Sequence, residues 1–296
     1  MPSVRSAIHN AEGQGVTSPL GLIAGLGDLP VSVAHAAVAS GRGVYVLRLL
    51  GFEEPQLAGF PGTSVGIGQI AEQFNLLRRA GCREVVFAGI VRRPDFSQLK
   101  LDWKGTMLLP SVIRAARDGD DALIRVLVRA FEQEGFTVLG ADAIAPDLLT
   151  EPGTLTQRQP AEADLADIAQ AARVAAALGQ LDIGQGCVVC DGLVLAVEAQ
   201  EGTDLMLDRV ASLPQELRGT PQQRRGVLLK RPKPIQERRV DLPVIGVKTV
   251  ENAARSGLAG IAVEAGGAML LQRQAALARA DALGLFITVF APEAAS

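Results

Sequence analysis

The sequence predicts an α/β protein of two α/β domains, the first Rossmann-like with a mostly parallel sheet and the second a smaller mixed-sheet unit. Three observations carry this. Short Val/Ile/Leu runs alternate with helix-length segments from Leu20 onward, the rhythm of βαβ units. Aromatic residues are only 4% of the chain, so the core is built from small aliphatic side chains that let helices lie close on a sheet. A polar stretch, Glu151–Ala163, interrupts the rhythm with Pro152, Gly153 and Pro160 and marks a junction. The expected division is residues 17–150, a linker at 151–163, and 164–296, with polar residues 1–16 read as a disordered lead-in.

The elements follow in order. Leu20–Ala24 reads as the first strand, then a glycine loop, a helix over about Val31–Ser40 and a strand over Gly43–Leu49. Helix Ile67–Ala80 leads into strand Glu84–Ala88, and helix Asp121–Glu134 into strand Thr137–Leu139. In the second half an alanine-rich helix spans about Glu162–Leu178. Val188–Val189 and Val194–Glu198 flank Asp191-Gly192, a hairpin signal. Helix Thr203–Ser212, strands Gly226–Lys230 and Val244–Ile245, helix Thr249–Ser256, strand Gly260–Val263, helix Gln272–Ala282 and strand Leu285–Val289 complete the chain.

A formal net charge of −3 argues against nucleic-acid binding, which needs a basic excess to engage phosphates. No apolar run reaches the ~18 residues that span a bilayer, and Met1–Val16 lacks the apolar stretch of a signal peptide. Three cysteines, an odd and small number, fit a reducing compartment. The expected location is therefore the cytoplasm, with room for contact with a membrane surface. Cys187-Val-Val-Cys190 has redox spacing but lies in a β-branched run, where residues three apart face opposite sides, so two buried thiols are expected. With only His9 and His35, a histidine zinc site or a Ser–His–Asp triad has no material.

Several places carry candidate chemistry. Gly25, Gly27 and Asp28 lie between a first strand and a helix N-terminus, where backbone N–H groups and the helix dipole favour a phosphate. Pro30 replaces the third glycine of a dinucleotide fingerprint, and no acidic residue ends the second strand, so a nicotinamide-dependent oxidoreductase is the weaker alternative. Gly68 and Gln69 open another helix, and Arg92 and Arg93 follow the next strand. The densest constellation is later: Glu198, Glu201, Thr203 and Asp204, then Lys230, Lys233, Arg238, Arg239 and Asp241, with Thr249 and Glu264 at neighbouring ends. Gly202 and Thr203 read as a turn and an N-cap. Carboxylates at strand ends with interleaved cations suit phosphoryl chemistry on Mg²⁺ or Mn²⁺, which take hard oxygen ligands. Any one of these residues taken alone is better explained as a solvated surface group; the set modestly favours a site. A non-catalytic sugar-nucleotide or lipid-binding protein stays open as a second alternative.

Five segments together resemble one family. They are Leu20-Gly-Leu-Ile-Ala-Gly-Leu-Gly-Asp-Leu-Pro30, Val86-Phe-Ala-Gly-Ile-Val-Arg-Arg-Pro94, Leu181-Asp-Ile-Gly-Gln185, Ala196-Val-Glu-Ala-Gln-Glu-Gly-Thr-Asp204 and Val240-Asp-Leu-Pro-Val-Ile-Gly246. In this order they resemble the LpxI-type UDP-2,3-diacylglucosamine pyrophosphatases over about Leu20–Val289. The resemblance implies hydrolysis of an acylated UDP-sugar to lipid X and UMP, divalent-metal dependence, water attack at the β-phosphorus, and a homodimer whose two domains close on substrate. It maps the family's critical acid onto Asp241. Around that residue the expectation adds Asp204 as a second metal ligand, Glu201 and Asp204 as sugar or metal contacts, and Lys230, Lys233 and Arg239 opposite phosphate. The Gly25 loop is expected at the phosphates or the UDP end, and Leu108, Leu109 and Met206 along an acyl groove.

Overall fold

The computed structural model describes residues 18–92 and 95–291; the lead-in 1–16, with His9, and Arg93 lie outside them. The first sheet grows from β1 (Leu20–Ala24), whose five residues are all buried, as a strand covered on both faces must be. Helix α1 (Asp28–Ala39) returns the chain to β2 (Val44–Leu49). Next come β3 (Gly62–Val65), α2 (Ile70–Arg79) and β4 (Glu84–Ala88). Helices α3 (Trp103–Asp118) and α4 (Asp120–Gln133), strand β5 (Thr137–Leu139) and the short α5 (Ala141–Ile144) complete this half. The strands are parallel in the order β3-β2-β1-β4-β5, so the topology reverses between β1 and β4.

The second half begins with β6 (Gly153–Thr154) and α6 (Glu162–Gln180). Strands β7 (Gly186–Cys190) and β8 (Leu193–Val197) form the expected hairpin. Then follow α7 (Gly202–Ser212), β9 (Val227–Lys230), β10 (Val244–Ile245), α8 (Val247–Arg255), β11 (Gly260–Glu264), β12 (Met269–Leu270), α9 (Arg273–Leu283) and β13 (Phe286–Phe290). The main sheet runs β6-β13-β11-β9-β7-β8, with β9, β11 and β13 parallel and both edges antiparallel. The segment read as a linker thus contains an edge strand: β6 pairs with β13, and Thr154 and Thr288 share a hydrogen bond of 3.1 Å.

The cores of the two halves are joined by a two-stranded parallel pair, β10 with β12. Alternation along these strands sends Ile245 and Leu270 into the core of the second half, and Val244 and Met269 into that of the first. Leu242 extends the same seam into the first core. Cys187 and Cys190 are free and buried on β7, and burial pushes their thiols up to about 12 and about 11, so both stay protonated and inert.

One face of the first sheet is closed by aromatic rings. Phe131 lies edge-on to Phe74 at 4.8 Å and to Phe87 at 4.9 Å, and is 1% exposed. Phe131→Ala is expected to destabilise the protein by about 3–5 kcal/mol, read as a lower denaturation midpoint in urea.

Candidate functional site

The parallel strands of the second sheet bring their carboxyl ends to one edge. Lys230 ends β9, Glu264 ends β11, and Glu198 follows β8. Register fixes their order: Gly186 faces Lys230 across β7 and β9, and the Glu198 N–H donates to the Gly186 carbonyl at 2.9 Å. The Glu198 carboxylate lies over Gly186, where a Cβ would stand 2.6 Å from its Oε2, so a side chain there would displace that oxygen.

Lys230 is 4% exposed and needs partners for its ammonium. Its Nζ donates to Thr203 Oγ1 at 2.7 Å, and that hydroxyl donates onward to Glu198 Oε1 at 2.8 Å. The other Glu198 oxygen, Oε2, stands 4.0 Å from Lys230 Nζ and has no hydrogen-bond partner among the described residues. Thr203 is therefore not the N-cap read from the sequence. It lies inside α7, and its hydroxyl is held between a buried ammonium and a buried carboxylate.

From Lys230 the chain crosses the edge as a strap, residues 231–241. Arg231 pairs with Glu264 at 2.7 Å, and Lys233 with Asp182 at 2.5 Å. Gln236, largely buried, accepts from the Lys233 N–H at 2.8 Å and donates to Asp241 Oδ2 at 2.5 Å and to Gln185 Oε1 at 3.2 Å. The strap also grips α4 of the first half. The Glu237 N–H donates to Asp121 Oδ1 at 2.5 Å, Arg125 donates to the Ile235 carbonyl at 2.9 Å, and Arg239 pairs with Glu132 at 2.7 Å. Asp241, partly exposed, thus stands at the seam between the two halves. Burial raises its pKa, and Glu198 pushes the same way; Lys233, the Gln236 hydrogen bond and Lys230 oppose the rise.

The structure brings together Asp241, Lys230, Lys233, Thr203 and Glu264 from the sequence expectation. Others it engages elsewhere. Asp204 accepts from Asn252 at 2.8 Å and pairs with Lys248 at 2.6 Å, on the α8 side. Glu201 pairs with Arg209 at 2.5 Å. Thr249 accepts from the Gly246 N–H at 3.4 Å at the start of α8. Arg239 is held by Glu237 as well as Glu132, which lowers the Glu237 pKa and raises its own. Met206 is fully buried in the second core and lines no groove. Leu108 packs partly buried against the first core.

The glycine loop has its own anion. The Gly27 N–H donates to the Glu54 carboxylate at 2.9 Å. Leu26 and Ile90 exchange backbone hydrogen bonds of 3.0 and 2.8 Å, and a Cβ on Gly25 would stand 2.6 Å from the Ile90 carbonyl oxygen. The loop is thereby closed onto the end of β4, with Asp28 exposed at the first turn of α1. Gly68 packs against the 100–105 segment, and Gln69 Oε1 accepts from the Gly66 N–H at 2.9 Å. Gly68 is thus occupied by a distant segment, and Gln69 by its own turn.

Sequence reasoning did not assign Gln236, Gln185, Asp182 or Arg231 a place in the site. The two amides carry no charge to draw attention, Asp182 is distant in sequence and joins the site only through Lys233, and Arg231 lies among several cations from which its pairing with Glu264 does not set it apart. Among the described residues, no group of three or more His, Cys, Asp or Glu side chains is placed to share a metal ion.

Residues 19–148 match the model of the LpxI N-terminal domain, and residues 151–288 match that of the LpxI C-terminal domain. The chain belongs to the LpxI family. The UDP-2,3-diacylglucosamine pyrophosphatase LpxI of Caulobacter vibrioides (strain ATCC 19089 / CIP 103742 / CB 15) is 54% identical over 274 residues, covering 93% of this chain and 98% of that protein. Among solved structures, CobK precorrin-6A reductase aligns over 95% of this chain and 90% of its own at 16% identity, with a TM-score of 0.34, too low to carry an argument. In LpxI terms the Lys230–Thr203–Glu198 chain lies in the C-terminal domain, and the strap docks that domain onto the N-terminal one.

Thr203→Val removes the hydroxyl that links a buried lysine to a buried glutamate. The expected loss is about 1–3 kcal/mol, checked by thermal or urea denaturation.

Proposed function

We propose that this LpxI-family chain hydrolyses the diphosphate of UDP-2,3-diacylglucosamine, releasing UMP and 2,3-diacylglucosamine 1-phosphate, in a divalent-metal-dependent reaction at Asp241. The observation that carries the reading is Asp241 itself: a carboxylate at the domain seam, held by a neutral amide rather than an arginine, with Lys230 and Lys233 close enough to act on its charge. The name of the 54% identical relative supports the substrate.

The residues present fit Mg²⁺ or Mn²⁺. Such ions commonly use one or two carboxylates together with water and substrate phosphate. Asp241 offers Oδ1, and Glu198 offers a buried Oε2 without a hydrogen-bond partner among the described residues. When bound, the ion supplies neutralisation of diphosphate charge and acidification of a water. Asp204, engaged by Lys248 and Asn252, is given no metal in this reading.

The chain's own groups do the rest. Asp241 in its ionised form orients the attacking water or holds the ion beside it. The water oxygen bonds to the β-phosphorus, the bond from that phosphorus to the bridging oxygen breaks, and UMP leaves with the bridging oxygen. Lys230 and Lys233, whose ammonium groups are already fixed by Thr203 and Asp182, present positive charge where negative charge grows on the leaving phosphate. The nicotinamide alternative has little footing, because Glu54 already accepts from the glycine-loop N–H that a pyrophosphate would need. A homodimer, a cytoplasmic location and transient contact with the inner-membrane surface belong to the same reading, the last because the substrate is acylated. No helix among the described residues is long and apolar enough to cross a membrane.

The direct test is turnover of UDP-2,3-diacylglucosamine with Mg²⁺ or Mn²⁺ in ¹⁸O-labelled water. The reading expects label in the acylated sugar phosphate and none in UMP. Saturable UDP binding without cleavage at any metal concentration would instead make the chain a binding protein.

Two predictions follow from the charge on Asp241. Asp241→Asn is expected to lower kcat by about 10²–10⁴-fold while leaving the Tm equal or higher. A folded-state carboxyl with a raised pKa loses stability as pH rises between its unfolded and folded values, and the amide removes that loss. Both roles for Asp241 need the ionised form, so kcat/KM should fall as pH drops through a midpoint above the usual carboxylate value of about 4. If Asp241 binds the ion, raising metal concentration moves that midpoint to lower pH. If it only orients water, the midpoint stays in place.

A further inference from the structure

We propose that Gln236 is a positioning residue for the reaction: its amide fixes Oδ2 of Asp241 and leaves Oδ1 as the oxygen available to water or to an ion. The inference rests on the reading of Asp241 given above and adds the residue that aims it.

A buried primary amide must satisfy two donors and an acceptor, which makes its orientation informative. Gln236 is 8% exposed, and its three hydrogen bonds define one assignment. Oε1 accepts from the Lys233 N–H at 2.8 Å, while Nε2 reaches Asp241 Oδ2 at 2.5 Å and Gln185 Oε1 at 3.2 Å. Flipping the amide would put its oxygen against a carboxylate and against the Gln185 carbonyl oxygen, and an NH₂ against an N–H donor. The side chain is therefore a fork with one tine on the Lys233 backbone and the other on the acid.

Nothing else among the described residues takes this role. The Lys233 ammonium is bound to Asp182 and the Lys230 ammonium to Thr203, and both act on Asp241 through their charge. The Asp241 N–H donates to the Glu237 carbonyl at 3.1 Å and sets the backbone, not the carboxylate. A neutral donor suits a reactive acid. It holds the plane of the carboxylate without the full ion pair that an arginine would form, and so preserves basicity. Gln236 and Asp241 sit on the strap that also contacts α4, so the aim of the acid is set by the element that joins the two domains.

The test uses the full chain with its acylated UDP-sugar and saturating Mg²⁺. Gln236→Met keeps the length of the side chain without the donor, and Gln236→Glu keeps its shape but cannot donate when ionised. Both are expected to lower kcat by about 10–100-fold with KM within about threefold of the parent. In an Asp241→Asn background, adding Gln236→Met should cost nothing further in the residual rate, because the group it aims is gone. Unchanged kcat in both single variants, or an equal loss with and without Asp241, overturns the positioning role while the Asp241 reading stands. Near-parental turnover by Asp241→Asn alone overturns that reading and this proposal with it.

Discussion

A buried ammonium group is stable only where oxygen atoms surround it, and the edge of the second sheet is organised by that requirement. Lys230 ends a central strand at 4% exposure, and Thr203 and Glu198 meet it. Once Lys230 is held there, the chain leaves the edge in a fixed direction. Arg231 then reaches Glu264, Lys233 reaches Asp182, and the strap arrives at Asp241 with its side chain already gripped by Gln236. Acids and cations alternate along this line, so the charges compensate one another at close range while Asp241 stays outside any tight ion pair.

The strap is also where the two halves meet. Asp121, Arg125 and Glu132 on α4 hold it from the side of the first domain, and β10 and β12 bury side chains into both cores just beyond it. The contacts with α4 fall at Ile235, Glu237 and Arg239, within six residues of Asp241. The candidate chemistry and the domain contact are parts of one continuous segment.

Much of this was legible in the sequence, and the failures have physical causes. The long periodic elements were found within a few residues because burial on two faces or one stripe leaves an unmistakable pattern. Strand β3 was not, since Gly-Thr-Ser-Val at a sheet edge has no apolar run to betray it. Helix α3 was not, because Gly105 and Pro110 argue against a helix that the Asp102 side chain nonetheless caps through Gly105. β6 looks like a linker in the sequence because its partner, β13, is more than a hundred residues away. Within the candidate site, charge singles out Asp241, Lys230 and Lys233, which the structure places at the start of one strap and along it. Charge also singles out Asp204, Glu201 and Arg239, which the structure pairs with Lys248, Arg209 and Glu132, and it gives no signal for Gln236, which carries none. The glycine loop was a sound local inference about helix N-termini, but the anion it attracts is Glu54, a residue of its own chain.

The most direct measurement is a crystal structure of the full chain with Mn²⁺ and a non-hydrolysable acylated UDP-sugar, phased to show the anomalous signal of the metal. The account predicts a single peak at the domain seam, in contact with Asp241 directly or through one water, with Lys230 and Lys233 facing the diphosphate. A peak at Asp204 and α8, or beside Asp28 at the glycine loop with the diphosphate there and Asp241 remote from both, would contradict it.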